Sequence, residues 1–169
     1  MIKISSSVVM IFILVSITFI GCGKNENEKF QQAATLQQTG KYPEAISVLT
    51  ELKDSEVDTI AAKARLSIGK LYQMQITPQM VGNSLLDSAL VAYGSCYTDY
   101  PKTKFAEEAL FLSGFVNAND LQNFTKATEL YNKFLESYPK SPYSEAVKQE
   151  LEVMGLTPEE ILNRKIAVK

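Results

Sequence analysis

Residues 100–109 read YPKTKFAEEA, and residues 138–147 read YPKSPYSEAV. In both segments an apolar helical pattern runs into Tyr-Pro, and a new helical pattern starts after Thr103 or Ser141. Proline prevents a helix from continuing, and a Thr or Ser side chain caps the helix that follows. The two segments therefore predict one helix–turn–helix unit that occurs at least twice.

The repeat extends beyond these junctions. Ala89 and Tyr93 match Ala127 and Tyr131 in the same register as the two Tyr-Pro pairs. A third, weaker copy, GKYPEAI at 40–46, places Ala45 in the position equivalent to Ala89. Because both spacings between the alanines exceed the roughly 34 residues of an ideal helical-hairpin repeat, we expect longer connections between the helices.

The segment Ile68-Gly69-Lys70-Leu71-Tyr72 resembles the Leu-Gly-x-x-Tyr core of a tetratricopeptide repeat. In that comparison Gly69 lets a neighbouring helix approach and Tyr72 fills the space beside it. The three alanines resemble the small residue of the second helix, and Pro101 and Pro139 resemble the terminal proline. Lys29, Arg65 and Leu110 stand where the family has tryptophan. The resemblance implies an all-α, tetratricopeptide-like helix-hairpin solenoid of about three repeats plus a C-terminal helix.

We expect the repeat domain at 29–154 and a capping helix within 155–169. Thr157 to Glu160 form a capping box, Gly155 ends the helix before it, and Pro142 falls at a first helical position. The pattern predicts helices at 26–38, 42–53, 58–74, 84–99, 104–118, 124–137, 142–154 and 158–166, with a loop at 76–83.

The N-terminal residues 1–21 read as a signal peptide. Lys3 precedes an apolar stretch at 8–20, which is too short to span a membrane as a helix. Gly21-Cys22 resembles the lipobox of bacterial lipoproteins, although Phe19 replaces the usual Leu. The resemblance implies a lipid such as palmitate on Cys22, followed by a polar tether at 22–28. The alternative is an ordinary signal peptide followed by a chance cysteine.

In lipoproteins an Asp after the modified cysteine favours retention at the inner membrane, and here the residue is Gly23. The resemblance therefore implies a lipid-anchored protein of the cell envelope, at the outer membrane and facing the periplasm. Two or more acyl chains would hold such a protein stably.

The composition disfavours several functional classes. The chain has no histidine, which removes Ser-His and Cys-His nucleophile pairs and most zinc sites. Its formal net charge is −2 without a basic cluster, so we expect no nucleic-acid partner. The acidic pairs 107–108 and 159–160 fall in first helical turns, where carboxylates offset the helix dipole. We expect no enzyme, cofactor, metal site or small-molecule substrate.

Cys96 would be unpaired if Cys22 carries lipid. An odd thiol in an exported protein can be reactive. The alternative is a buried cysteine that acts as a small apolar residue beside Tyr93 and Tyr97. We favour the buried position.

In tetratricopeptide repeats the first helix of each pair lines a groove that holds a peptide. Mapping through Gly69 and Gly114 places one set of residues there: Lys63, Leu66, Lys70, Gln73, Glu108, Phe111 and Phe115. The spacing of Phe111 and Phe115 fits core and groove equally well. The C-terminal helix could also fold back and fill this groove.

The junctions at 100–109 and 138–147 resemble those of the BamD-like lipoproteins and of the tetratricopeptide protein associated with the Tol-Pal system. This resemblance implies a membrane-anchored protein–protein interaction scaffold of the envelope that acts in outer-membrane protein assembly. Its partner would be an envelope protein or peptide. The alternative is a structural subunit of an envelope complex without a free groove.

Overall fold

The computed structural model describes residues 22–74 and 84–167, and every regular element within those ranges is helical. This confirms the all-α prediction. The helices are α1 (Cys22–Gln38), α2 (Tyr42–Thr50), α3 (Asp58–Met74), α4 (Ser84–Asp99), α5 (Lys104–Phe115), α6 (Phe124–Ser137), α7 (Ser144–Val153) and α8 (Pro158–Ala167). The predicted leader at 1–21 and the predicted loop at 76–83 lie outside the described residues.

The predicted helix ends are present at three places. The Thr103 side chain accepts a hydrogen bond from the backbone N–H of Ala106 and caps α5. Thr157 and Glu160 form the capping box, with the Thr157 N–H 2.7 Å from the Glu160 carboxylate. Gly155 has a φ of +76°, the left-handed conformation that ends a helix before it.

Some boundaries differ from those expected. The first helix begins at Cys22, so the segment predicted as a polar tether is helical. The prediction for Pro142 was wrong, because α7 begins only at Ser144. The Ser141 hydroxyl accepts from the backbone N–H of Tyr143 at 3.0 Å, and this side-chain turn delays the helix.

The helix expected at 104–118 changes character near its end. After Phe115 the chain continues as a π-helical turn, Val116–Asp120. Such a turn holds one more residue than an α-helical turn. Asn117 is 4% exposed there and donates to the Ser113 carbonyl at 2.8 Å. The buried amide is thus satisfied within its own helix.

Adjacent helices pack in pairs: α1 with α2, α3 with α4, and α5 with α6. Each second helix then contacts the next first helix, so that α2 meets α3, α4 meets α5 and α6 meets α7. The α3 and α5 helices also touch directly. This order places the first helices side by side along one face of the stack.

The core consists of an N-terminal, a central and a C-terminal apolar cluster. The half-buried Tyr72 packs against the N-terminal and central clusters, and Tyr97 packs against the central and C-terminal ones. Ala45, Ala89 and Ala127 have no exposed surface. These alanines therefore occupy the close helix contacts for which the repeat pattern requires a small residue.

The residue that fills the space beside Gly69 is Tyr93 of α4, and not Tyr72 as expected. Gly114 of α5 and Tyr131 of α6 repeat this arrangement. In α7 the repeat register places Glu152 in the position of Gly114, and this glutamate is exposed. A glutamate there prevents a further helix from packing as closely, and α8 makes no extensive contact with any other described helix.

Candidate functional site

The face formed by the first helices α1, α3 and α5, together with Tyr143 before α7, is the candidate site, and we call it the first-helix face. Side chains interact across it from helix to helix. The ammonium of Lys63 lies 3.9 Å above the ring of Phe30, which joins α3 to α1. Lys70 and Glu108 form an ion pair of 2.5 Å that joins α3 to α5. The predicted positions on α3 and α5 are therefore brought together as one surface.

Leu66 occupies a different environment from its predicted neighbours. Its side chain is 4% exposed and belongs to the central apolar cluster with Tyr93 and Cys96. A side chain this buried supports the floor of the face and offers no contact area to a ligand.

Gln73 links the face to the core behind it. Its amide oxygen accepts a hydrogen bond from the Tyr93 hydroxyl at 3.0 Å, and its amide nitrogen donates to Asp120 at 3.2 Å. Both ends of the amide are thus fixed by residues of the neighbouring helices. The residue holds the face together, and it has little hydrogen-bonding capacity left for a partner.

Phe111 and Phe115 differ in how deeply they are packed. The Phe111 ring stacks on Tyr143 with 5.0 Å between centroids and 16° between planes. It also contacts Tyr131 and Phe134, at 6.4 and 6.3 Å, and packs against the C-terminal apolar cluster. Among the ring contacts of the described chain, Phe115 has one, with Phe111 at 6.5 Å. Both rings are half-buried, but Phe111 packs at the edge of the core, whereas Phe115 has fewer ring contacts to hold it.

The charges on the face compensate one another. The Lys70 ammonium is paired with Glu108, and the Lys63 ammonium is held over the Phe30 ring. The Glu107 carboxylate accepts a hydrogen bond from the Ser141 hydroxyl. The face therefore presents a partly exposed aromatic patch between satisfied polar groups, and not a free cationic clamp.

The C-terminal helix lies beside the π turn. Ile161 of α8 shares a cavity wall with Ala118 and Phe124, at the end of the α5–α6 hairpin. Within the described ranges α8 makes no extensive contact with α3 or α5, which carry the predicted groove residues.

Arg65, which stands at the tryptophan position of the repeat, has a role that the sequence did not reveal. Its guanidinium donates to the Lys53 carbonyl at 2.8 Å and to the Ser95 carbonyl at 3.3 Å. It also pairs with Asp54 at 3.1 Å and with Asp99. Arg65 therefore fastens the end of α2 and the end of α4 to α3. The only sequence signal for it was a charged residue at a position that is normally apolar.

The other chemistry-bearing groups are buried or dispersed. Cys96 has no exposed surface, and its thiol donates to the Ala62 carbonyl at 3.2 Å. Burial raises the pKa of the Cys96 thiol to about 12, so the thiol stays protonated at neutral pH. Among the described residues no three His, Cys, Asp or Glu side chains cluster so as to hold a metal ion. None of the described helices is both long and apolar enough to cross a membrane.

Residues 108–141 match the tetratricopeptide repeat. The match runs from Glu108 in α5 to Ser141 and covers the hairpin that contains Gly114, Ala127 and Tyr131. The chain thus has an all-α, tetratricopeptide-like repeat fold. No curated protein and no solved structure matches the chain. Tetratricopeptide repeats form surfaces that bind proteins, and proteins built from them are generally scaffolds and not enzymes.

Proposed function

We propose that this chain is a membrane-anchored protein–protein interaction scaffold of the bacterial cell envelope. The observation that carries the proposal is the first-helix face, where the half-buried Phe115 extends the ring cluster of Phe111 and Tyr143. A patch of aromatic side chains within a polar rim is the usual anchor of a protein interface.

The chemistry of the face indicates the kind of segment it binds. Because Lys70 is neutralised by Glu108, the face has no strong preference for a carboxylate there. Phe115 provides apolar area at the α5 end, and the Phe30 and Lys63 pair lies at the α1 end. We propose that the partner contributes an apolar or aromatic segment of an envelope protein, which spans from α5 towards α1.

The envelope location rests on the sequence at 1–22. The apolar stretch followed by Gly21-Cys22 supports export and lipidation at Cys22, and Gly23 supports the outer membrane. The resemblance of the Tyr-Pro junctions to BamD-like and Tol-Pal-associated proteins supports a role in outer-membrane protein assembly. We therefore propose both the lipid anchor at Cys22 and the role in outer-membrane protein assembly.

A second candidate is a structural subunit of an envelope complex, and one observation favours it. A cleft of about 540 Å³ lies between α2 and α4, above Ile68 and Tyr72 of α3. Val91 at its edge is 72% exposed. The corresponding cleft between α4 and α6 is bridged by Lys133, whose ammonium lies 4.7 Å above the Tyr97 ring. An open apolar cleft away from the first-helix face is suited to packing against another subunit of an envelope complex.

Site-specific photocrosslinking in intact cells separates the two candidates. A photoreactive phenylalanine would replace Phe115, Val91 or, as a control, the exposed Asn132 of α6. The scaffold proposal predicts a discrete crosslinked envelope protein from position 115 and none from 132. Crosslinks from position 91 alone would favour the structural subunit and contradict the use of the first-helix face.

A further inference from the structure

A cavity of about 420 Å³, whose walls do not include Phe115, lies between the π turn, the start of α6 and the α7–α8 connection. Its walls combine polar and apolar side chains, among them Asn119, Gln122, Phe124, Glu150, Met154 and Ile161. Phe124 is 41% exposed, so one wall reaches the surface. The cavity is therefore open to a side chain of another molecule.

The charged group of this cavity is an acceptor. Glu150 is its only charged wall residue and forms no ion pair within the described part of the chain. The Asn119 amide nitrogen donates to the Phe115 carbonyl at 3.2 Å. This bond uses one N–H of the Asn119 amide, and the amide oxygen can accept a hydrogen bond from a ligand. A carboxylate and an amide oxygen together attract a donor that carries positive charge.

A buried hydroxyl lies beside the cavity. Tyr131 has no exposed surface, and its hydroxyl finds no hydrogen-bond partner among the described residues. Tyr93 is the equivalent residue of the preceding hairpin, and its hydroxyl donates to the amide oxygen of Gln73. Gln73 lies four residues after Gly69. The residue four positions after Gly114 is Ala118, which lines the cavity. A methyl group thus stands where the other repeat supplies an amide.

Glu150 is a second wall residue of the cavity. Burial, and then the charge of Glu150, raises the pKa of the Tyr131 hydroxyl. Ala118 belongs to the same apolar cluster as Tyr131 and also lines the cavity.

The backbone around the cavity is also unusual. Asn119 lies in the π turn, and Gln122 has a φ of +52°, which a residue with a side chain rarely adopts. Both features set the shape of the wall. Such conformations persist where the surrounding structure enforces them, frequently at functional sites.

We propose that this cavity binds a lysine or arginine side chain of a protein partner. The cationic head would lie between the Glu150 carboxylate and the Asn119 amide oxygen. The apolar side chains of Phe124, Met154 and Ile161 would cover the methylene stem. The walls of this cavity contain none of the side chains described above for the first-helix face, and the site adds a charge requirement that the face lacks.

A titration followed by nuclear magnetic resonance tests the site on the full chain labelled with ¹⁵N. The probes are the tripeptides acetyl-Ala-Lys-Ala-amide and acetyl-Ala-Arg-Ala-amide. The control peptide carries norleucine, which has a similar stem and no charge. We expect the basic peptides to shift the backbone amide signals of Asn119 and Gly155. Glu150→Gln should raise the Kd about tenfold or more. Glu145→Gln, an exposed change on the same helix, should leave the Kd unchanged.

Three results would overturn the proposal: no shift of these amides, equal shifts from the norleucine peptide, or an unchanged Kd in Glu150→Gln. If n-butylammonium binds as tightly as the lysine peptide, the cavity recognises a free amine, and the proposal that it binds a side chain of a protein partner is wrong. If Glu150→Gln does not fold, the comparison of the lysine peptide with the norleucine peptide on the unaltered chain still shows whether binding requires a positive charge. Crosslinking from position 115 is unaffected by any of these results.

Discussion

The ring of Tyr93 in α4 lies against the backbone of Gly69 in α3, and a Cβ atom added at Gly69 would be 2.4 Å from Tyr93 Cε1. Gly114 and Tyr131 have the same relationship at the same distance. Both tyrosines are fully buried, so neither ring can move aside into solvent. The missing side chain of each glycine therefore sets how closely the two helices of a hairpin approach.

Gly69→Ala should destabilise the fold. Alanine favours a helix over glycine by about 1 kcal/mol, but the new methyl group would overlap the Tyr93 ring. Overpacking of this kind costs about 1–3 kcal/mol. We expect a lower midpoint of urea denaturation. Gly94→Ala is the matched control, because nothing lies within 4 Å of a Cβ there, and it should raise the midpoint.

The two buried tyrosines should respond differently to loss of the hydroxyl. Tyr93→Phe removes a hydrogen bond to Gln73, so we expect a cost of about 1 kcal/mol. Tyr131→Phe removes a hydroxyl without a partner among the described residues, so unfolding free energy should stay unchanged or rise. Chemical denaturation of both variants checks this. Equal losses would show that the Tyr131 hydroxyl is satisfied in solution.

Phe111→Ala and Phe115→Ala should separate stability from binding. Phe111 packs on Tyr143, Tyr131 and Phe134, so its loss should cost about 3 kcal/mol. Phe115 contacts one ring, and Phe115→Ala should change stability by less than about 1 kcal/mol while it weakens partner capture. Thermal unfolding and a pull-down from crosslinked envelopes measure the two effects. A large loss of stability in Phe115→Ala would assign this residue to the core.

Lipidation can be tested on the two cysteines together. If Gly21-Cys22 is a processing site, labelled palmitate should enter the wild-type chain and the Cys96→Ala variant, but not Cys22→Ser. The Cys22→Ser protein should leave the membrane fraction or accumulate as an uncut precursor. Label that persists in Cys22→Ser, or that never enters the wild type, would contradict the anchor.

Alkaline pH should destabilise the fold. Burial raises the pKa of Cys96 from 9.0 to about 12, and it also raises the pKa of Tyr93 and Tyr131. Groups with a raised folded pKa contribute stability below their unfolded pKa and lose it as the pH rises through the folded value. The urea midpoint should therefore fall between about pH 9 and 12. Cys96→Ala should make this fall shallower, and a midpoint that rises above pH 9 would contradict the assignment.

The sequence predicted the order of helices and most of their ends. Thr103, the Thr157–Glu160 box and Gly155 act on backbone groups within a few residues, so local chemistry determines where those helices begin and stop. The same applies to the repeat register, since Ala89 and Ala127 mark one small position in successive hairpins. Ser141 was predicted to cap a helix that starts at Pro142, but its hydroxyl accepts from the Tyr143 N–H in a turn and α7 starts at Ser144.

The composition of the site depended on contacts between residues far apart in the chain, and only the tertiary structure decided it. Leu66 is buried because α4 and α5 cover it, although its helical position alone suggested the groove. Lys70 is neutralised because stacking brings Glu108 of the next first helix within 2.5 Å. Periodicity tells which side chains share a helix face. How much of that face the next helix covers depends on helix spacing, which the contacts of Gly69 with Tyr93 and of Gly114 with Tyr131 set in three dimensions.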